Sequence, residues 1–439
     1  MSLYDYRYAW RWLLPLDDVG RIEFQGVPVE AWPLFDLDLL SGRTGVPSSE
    51  TSMLVCDLNA CEFDEIDTSK YDFLVAYGPG RDVASFCSSL GRDWAYEKQY
   101  ALLPSSNPRL AIPLGAIEMI KRGLKLHRPG RRSARVAVSL LILLLRLGIS
   151  RPLQRTRLVL VANKPLSFPV GLRDLVSTRQ HWAKKMEFAV YFGAVGPNRK
   201  TVGLPVCSKP TGIIKTAWSQ SAKSSLVNEA QALKRMSMTP LCENVPSLLS
   251  FVETERQVTL RQEYREKRHG SRREVGAAIK QFLNALAMVD VGSCSLDQWL
   301  SESVTIRHEQ AFGRLVEKLK RIADGSVAID VHRAHGDFAP WNINWSPEGV
   351  LVFDWEDSRA GVPALFDAFY FSVASQLFVA KKFVPEKALS KMRRFALWVS
   401  GRPSSQVNLY LALWLVDRSR VDDSEKIVSL IECFEDEWA

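Results

Sequence analysis

Apolar residues in the first third of the chain come in short runs. Met53-Leu54-Val55-Cys56 and Phe73-Leu74-Val75-Ala76-Tyr77 each end near Gly, Pro, Asn or Asp, the pattern of buried strands closed by turns. With helical stretches between them, residues 1–175 read as a small α/β domain. Further on the period shortens. Met186 to Phe192 alternates like a strand, Gly193 to Asn198 supplies a turn, and Thr201 to Ser208 reads as a second strand. Lys209-Pro210-Thr211-Gly212 predicts a hairpin turn into a third strand, Ile213 to Ala217. Pro246–Phe251 and Val258–Tyr264 complete a lobe spanning 181–268. From 271 to 439 the spacing turns helical, at 275–287, 311–323, 368–378 and 409–416, interrupted by the strand-like run Val350-Leu351-Val352-Phe353. The fold class is therefore α+β, with a strand-rich part before a mainly helical one.

Residues 119–158 combine two features. A basic stretch from Lys121 to Arg132 precedes the apolar run Val136–Leu145, and Arg146, Arg151, Arg155 and Arg157 follow. The run is far shorter than the ~20 residues that span a bilayer. Two readings stay open: a peripheral membrane contact through 121–157, or a buried helix joining two domains.

Composition narrows the class. A hydrophobic share of 46% and a charged share of 24% are those of a globular protein. The net charge of +8 suits a protein that handles phosphorylated or acidic molecules, and taken alone suits a nucleic-acid or membrane surface equally. The 7 cysteines are scattered without a Cys-x-x-Cys pair and the 6 histidines do not join them, so neither zinc nor a disulfide framework is expected. That usage, and an N-terminus without a charged-then-apolar leader, give a cytoplasmic expectation. No Gly-x-Gly-x-x-Gly turn follows a first strand, so the N-terminal part lacks a phosphate-cradling device of that kind.

The chemistry concentrates in 335–356. Asp337 and Asn342 are five apart in a tight loop, and Asp354 follows at the end of an apolar strand. One carboxylate can take a proton from an attacking hydroxyl. The amide and the second carboxylate can hold Mg²⁺ against nucleotide phosphates, since this ion takes few protein oxygens and leaves the rest of its shell to phosphate and water. Upstream, Lys215 lies in an apolar strand where a lone ammonium is costly, and Glu229 follows on a predicted helix.

These motifs resemble the aminoglycoside phosphotransferase and choline kinase group, the small-molecule branch of the protein-kinase-like fold. His335-Gly336-Asp337 stands where protein kinases carry His-Arg-Asp, and Asp354-Trp355-Glu356 where they carry Asp-Phe-Gly. Asp367, in Pro363-Ala364-Leu365-Phe366-Asp367, matches a brace of the catalytic loop. The resemblance covers about residues 185–375. It implies a two-lobed fold, with a small antiparallel-sheet lobe and a mainly helical lobe, preceded by the separate α/β domain. It implies ATP and Mg²⁺ as cofactors and a small-molecule hydroxyl as acceptor, with no nucleic acid. Asp337 would be the base, His335 a brace, and Asn342 and Asp354 the metal ligands. Lys215, held by Glu229, would reach the α- and β-phosphates, the Gly193–Gly196 loop would cover them, and Glu263-Tyr264 would meet the adenine edge. Ala339 departs from the Lys common in protein kinases and favours a small acceptor; Glu356 in place of glycine removes their flexible metal-loop switch. Trp398, Tyr410 and Trp414 are acceptor-wall or core candidates, and Asp357, Glu386 and Asp417 would suit a cationic acceptor. Two other readings are carried: a kinase-fold scaffold without catalysis, and a bifunctional enzyme whose first domain does separate transferase chemistry, as in polysaccharide biosynthesis.

Overall fold

The computed structural model describes residues 8–14, 19, 21–35, 51–61, 67–90, 94, 96–104, 107–115, 117–126, 132–163, 188–193, 196–205, 212–255, 257–265, 272–302, 309–322, 324–346, 349–380, 382–421 and 424–437. The chain forms two compact units, Met1–Val227 with Leu248–Tyr264, and Asn228–Ser247 with Arg265–Ala439. The first is rich in sheet and the second mainly helical, the α+β composition read from the sequence.

The first unit is built on one sheet. Its strands are β1 (Arg21–Gln25), β2 (Ser52–Asp57), β3 (Phe73–Pro79), β4 (Tyr96–Leu103), β5 (Leu110–Pro113), β6 (Thr156–Ala162), β7 (Phe188–Tyr191), β8 (Lys200–Pro205), β9 (Gly212–Ala217), β10 (Leu248–Glu253) and β11 (Val258–Glu263). Their order is β1-β2-β3-β6-β4-β5-β7-β8-β9-β11-β10, 11 strands among the described residues. β1, β2 and β3 pair in parallel and the remaining pairs are antiparallel. Among the described residues, helices α1 (Gly80–Ser89), α2 (Ile117–Lys125) and α3 (Arg132–Arg146) belong to this unit, and α4 (Gln220–Met236) continues from the first unit into the second.

The stretches Met53–Cys56 of β2, Phe73–Tyr77 of β3 and Leu158–Ala162 of β6 are apolar at every position because both faces are covered. Side chains alternate between faces, and the alternation sorts them into two cores. Met53 and Val55, Phe73 and Val75, Leu158 and Leu160 join Tyr8, Trp10 and Leu14 in one layer. Leu54 and Cys56, Leu74 and Ala76, Val159 and Val161 join Val83 and Phe86 of α1 in the other. The first layer runs on to Phe188 and Val190 of β7 and Ile214 of β9. β5 also pairs with β7, Leu110 opposite Tyr191 and Ala111 opposite Val190. The expected N-terminal domain and nucleotide lobe thus share one sheet, and one of its two core layers runs through both. The expected boundary at 175–181, the strand ends 186–187 and 206–208, and the turn at 209–211 lie outside the described residues.

The second unit holds α5 (Arg272–Leu286), β12 (Gly292–Ser295), α6 (Leu296–Glu302), α7 (Glu309–Ile322), β13 (Ala328–Ala334), β14 (Ile343–Ser346), β15 (Gly349–Val352), β16 (Arg359–Pro363), α8 (Phe366–Phe378), α9 (Pro385–Ser400), α10 (Ser404–Val421) and α11 (Glu425–Glu437). β12-β13-β16 form a small sheet and β14-β15 a hairpin. α8 is apolar almost all round because it is buried among the other helices. Tyr410 and Trp414 belong to this core, and the Tyr410 hydroxyl accepts the Asp330 N–H at 2.9 Å. Trp398 is exposed, with the Lys280 ammonium 5.2 Å from its ring centroid.

Candidate active site

The loop after β13 is held from behind by α8. Asp367, in the first turn of that helix, takes the backbone N–H of His335 on Oδ2 at 2.7 Å and that of Gly336 on Oδ1 at 3.1 Å. Charge-assisted bonds to two successive amides fix both position and tilt of the loop. Leu365, just before the helix, sits in the left-handed region at φ 71°, a sparsely populated conformation for a leucine that turns Asp367 toward the loop.

His335 is fully buried and its tautomer follows from its partners. Nδ1 accepts the Asp337 N–H at 3.2 Å, and Nε2 donates to the Phe353 carbonyl at 3.1 Å, so the ring proton is on Nε2. The ring packs 4.6 Å from that of Trp355. His335 therefore ties the loop to the strand end that carries Asp354. Both ring nitrogens are thus engaged within the loop and the strand end.

Asp337 is half-buried. Asn342 donates from Nδ2 to its carbonyl at 3.0 Å and to its Oδ2 at 2.8 Å. Tyr370, one turn along α8 from Asp367, also hydrogen-bonds its carboxylate. Burial pushes the Asp337 carboxyl above the ordinary carboxylate range. The negative charge of Asp354 adds to this, while the bonds from Tyr370 and Asn342 and the proximity of His335 oppose it. Burial and the Asp337 charge push the Tyr370 phenol up in turn, so it remains a donor.

Because both Asn342 amide protons point to Asp337, its Oδ1 is the atom left to face a cation. Asp354 has φ 72° and ψ 57°, the left-handed region, which Asp tolerates better than most residues. Its backbone is anchored downstream: Trp355 is buried with Nε1 donating to the Val352 carbonyl at 2.9 Å. Asn228 on α4 donates to the carbonyls of Glu356 at 2.6 Å and Ser358 at 3.0 Å. Ser358 Oγ donates to the Ala334 carbonyl and accepts from Arg333, whose Nε pairs with Asp290 at 2.6 Å. Burial alone would raise the Asp290 carboxyl, but bonds from Arg235 and Arg333 outweigh it and hold it low.

The structure brings His335, Asp337, Asn342, Asp354 and Asp367 together in the second unit. Among the described residues no three His, Cys, Asp or Glu side chains form a metal cage. The donors on offer are an amide oxygen and a carboxylate, a set that suits Mg²⁺ with phosphate and water completing its shell. Glu229 is buried on α4, in the stretch counted with the second unit. Lys215 lies in the first unit, buried on β9 between Val202 and Leu260. Gly193 and Gly196 stand between β7 and β8, Glu263 ends β11 opposite Gly212, and Tyr264 follows it, all in the first unit.

Two residues of the site escape the sequence reading. Tyr370 hides in an apolar helix, although its spacing of three from Asp367 places both on one face. Asn228, beside Glu229, carries no motif. Asp417 is corrected as a partner for a cationic acceptor: it is buried and binds Arg359 Nη2 with both oxygens, at 2.6 and 2.8 Å.

No curated protein sequence matches the chain. Among solved structures it is similar to a thermostable mutant of aminoglycoside phosphotransferase APH(4)-Ia in ternary complex with ADP and hygromycin B. Identity is 11% and the TM-score 0.41, over 61% of this chain and 97% of that one. It is also similar to aminoglycoside phosphotransferase APH(3'')-Id from Streptomyces rimosus, at 14% identity and a TM-score of 0.35, over 56% of this chain and 98% of that one. Residues 216–371, the span that holds Asn228, Glu229, the 335–342 loop, Asp354, Asp367 and Tyr370, match the phosphotransferase enzyme family.

Proposed function

We propose that the chain transfers the γ-phosphoryl group of ATP to a hydroxyl of a small molecule, with Asp337 as the base. The observation that carries this reading is the Asp337 carboxylate itself. It is half-buried, aimed by Asn342 and Tyr370, and set on a loop whose amides Asp367 grips. Such a carboxylate can orient an acceptor hydroxyl and take its proton as the phosphoryl group departs. Asn342 Oδ1 and Asp354 are the residues that would hold Mg²⁺, which when bound neutralises charge on the nucleotide phosphates. The nucleotide roles of Lys215, Glu229, Gly193, Gly196, Glu263 and Tyr264 rest on the sequence resemblance.

Thermal unfolding with and without Mg-ATP tests the reading. A ligand at a hundred times its Kd stabilises by about 2.7 kcal/mol. The Tm should rise with Mg-ATP, and the rise should vanish with EDTA and in Asp354→Asn, which keeps a residue tolerant of the left-handed backbone while removing the charge. No shift with millimolar ATP or GTP would sink the nucleotide site.

Asp337 also predicts a pH effect on the apo protein. Its folded-state pKa is raised, so the native state binds the proton more tightly than the unfolded chain does. Stability is then lost as pH climbs from the ordinary carboxylate value through the raised one. Asp337→Asn should therefore have a higher Tm than wild type at neutral pH, with the gap closing on acidification. A gap that is absent at neutral pH, or that widens in acid, contradicts the raised pKa.

A further inference from the structure

Helix α3 carries large aliphatic side chains on opposite sides. Leu145 is buried, and Val138, Leu141 and Ile142 pack with Ala101, Ile112 and Leu124 in the core beneath the sheet. The other side is open: Val136 is 66% exposed, Leu140 53%, Leu143 50% and Leu147 67%. Intervals of four, three and four keep these residues in one line along the helix. Leu147 continues the line because its N–H still bonds the Leu143 carbonyl at 3.1 Å. Single exposed leucines need no explanation, but an unbroken row of four marks a contact surface.

The charge around this row identifies the partner. From residue 119 to 163 the sequence has eleven Lys and Arg and no Asp or Glu. Arg146 at the end of α3, with Arg151 and Arg155 beyond it, is exposed next to the apolar row. A nucleic acid would meet the cations but has no use for the aliphatic row. A second copy of this surface would bring like charges together. An anionic bilayer meets both halves, with acyl chains for the row and acidic headgroups for the arginines. Among the described residues no helix is long and apolar enough to cross a membrane, and α3 has 15 residues.

We propose that α3 lies flat on an anionic lipid bilayer, with Val136, Leu140, Leu143 and Leu147 in the acyl boundary and the flanking arginines on acidic headgroups. This holds the phosphotransferase-like chain at a membrane surface, and it stands independently of the activity proposed for Asp337.

Flotation of the full-length protein with vesicles tests it. Two lipid mixtures are needed, phosphatidylcholine alone and phosphatidylcholine with about 30% phosphatidylserine. Binding is expected only to the second and should weaken at high salt. Leu140→Ser with Leu143→Ser changes exposed positions only, which an unchanged circular dichroism spectrum will verify. It should lower vesicle affinity by about tenfold or more. Three results overturn the proposal. They are equal binding to both lipid mixtures or none to either, full binding by the double variant, and a wild-type dimer that the double variant splits.

Discussion

Asp337→Asn should lose activity by about two to four orders of magnitude in kcat, the usual worth of a positioned general base. The loss should come without loss of nucleotide binding. Asn342 keeps an acceptor at position 337 for its amide, and the Asp367 grip on the His335 and Gly336 amides does not involve the 337 side chain. Mg-ATP should therefore raise the Tm of the variant as it raises that of wild type. A further control is Tyr370→Phe, which removes one donor from the carboxylate but leaves the base in place. Its effect should appear as a displaced acid limb of the kcat profile, to higher pH, because a bond that lowers the Asp337 pKa has gone. Wild-type turnover by Asp337→Asn would remove the base from the mechanism, and the proposed chemistry with it.

Gly336→Ala should damage stability and activity together. Gly336 has φ +87°, where a side chain costs about 1–2 kcal/mol. An added Cβ would also lie 2.3 Å from the Asp357 carbonyl oxygen and 2.9 Å from its carbon. That obstacle is backbone, tied through Ser358 and Asn228, and cannot swing aside. Relieving the overlap adds about 1–3 kcal/mol, so a total near 3 kcal/mol should be read from the urea midpoint. The relieving shift must move either the 335–342 loop or the Asp354 segment, and under the proposed function a displacement of about 1 Å costs about a hundredfold in rate. Gly361→Ala isolates the first part of the cost: that residue has φ +70° with nothing within 4 Å of the added carbon. Equal midpoints for the two variants would show that the contact with Asp357 is not the constraint it appears from the distances.

The sequence made the 335–367 segment legible because its groups are close in the chain and each has a distinct chemistry. Asp337, Asn342, Asp354 and Asp367 lie within one short stretch, and the strand between them is apolar enough to be seen. The antiparallel run β7 to β11 was also legible, from alternation and turn residues. The join between β5 and β7 was not. It consists of backbone bonds between residues some eighty positions apart, and backbone pairing leaves no mark in side-chain identity. The open face of α3 was hidden for another reason. Six consecutive apolar residues, Leu140 to Leu145, have no polar side to show which way they face, so burial and exposure read alike. Asp417 showed its charge in the sequence but not the Arg359 that neutralises it.

The continuous sheet has a consequence for how the chain survives before it is fully folded. Two separate sheets would present four rows of unpaired N–H and C=O groups, each a template for adding a stray strand. Pairing β5 with β7 closes two of them and, among the described strands, leaves β1 and β10 at the margins. The N-terminal third thus shields strands β7 to β11 from self-association, whatever chemistry it does or does not perform.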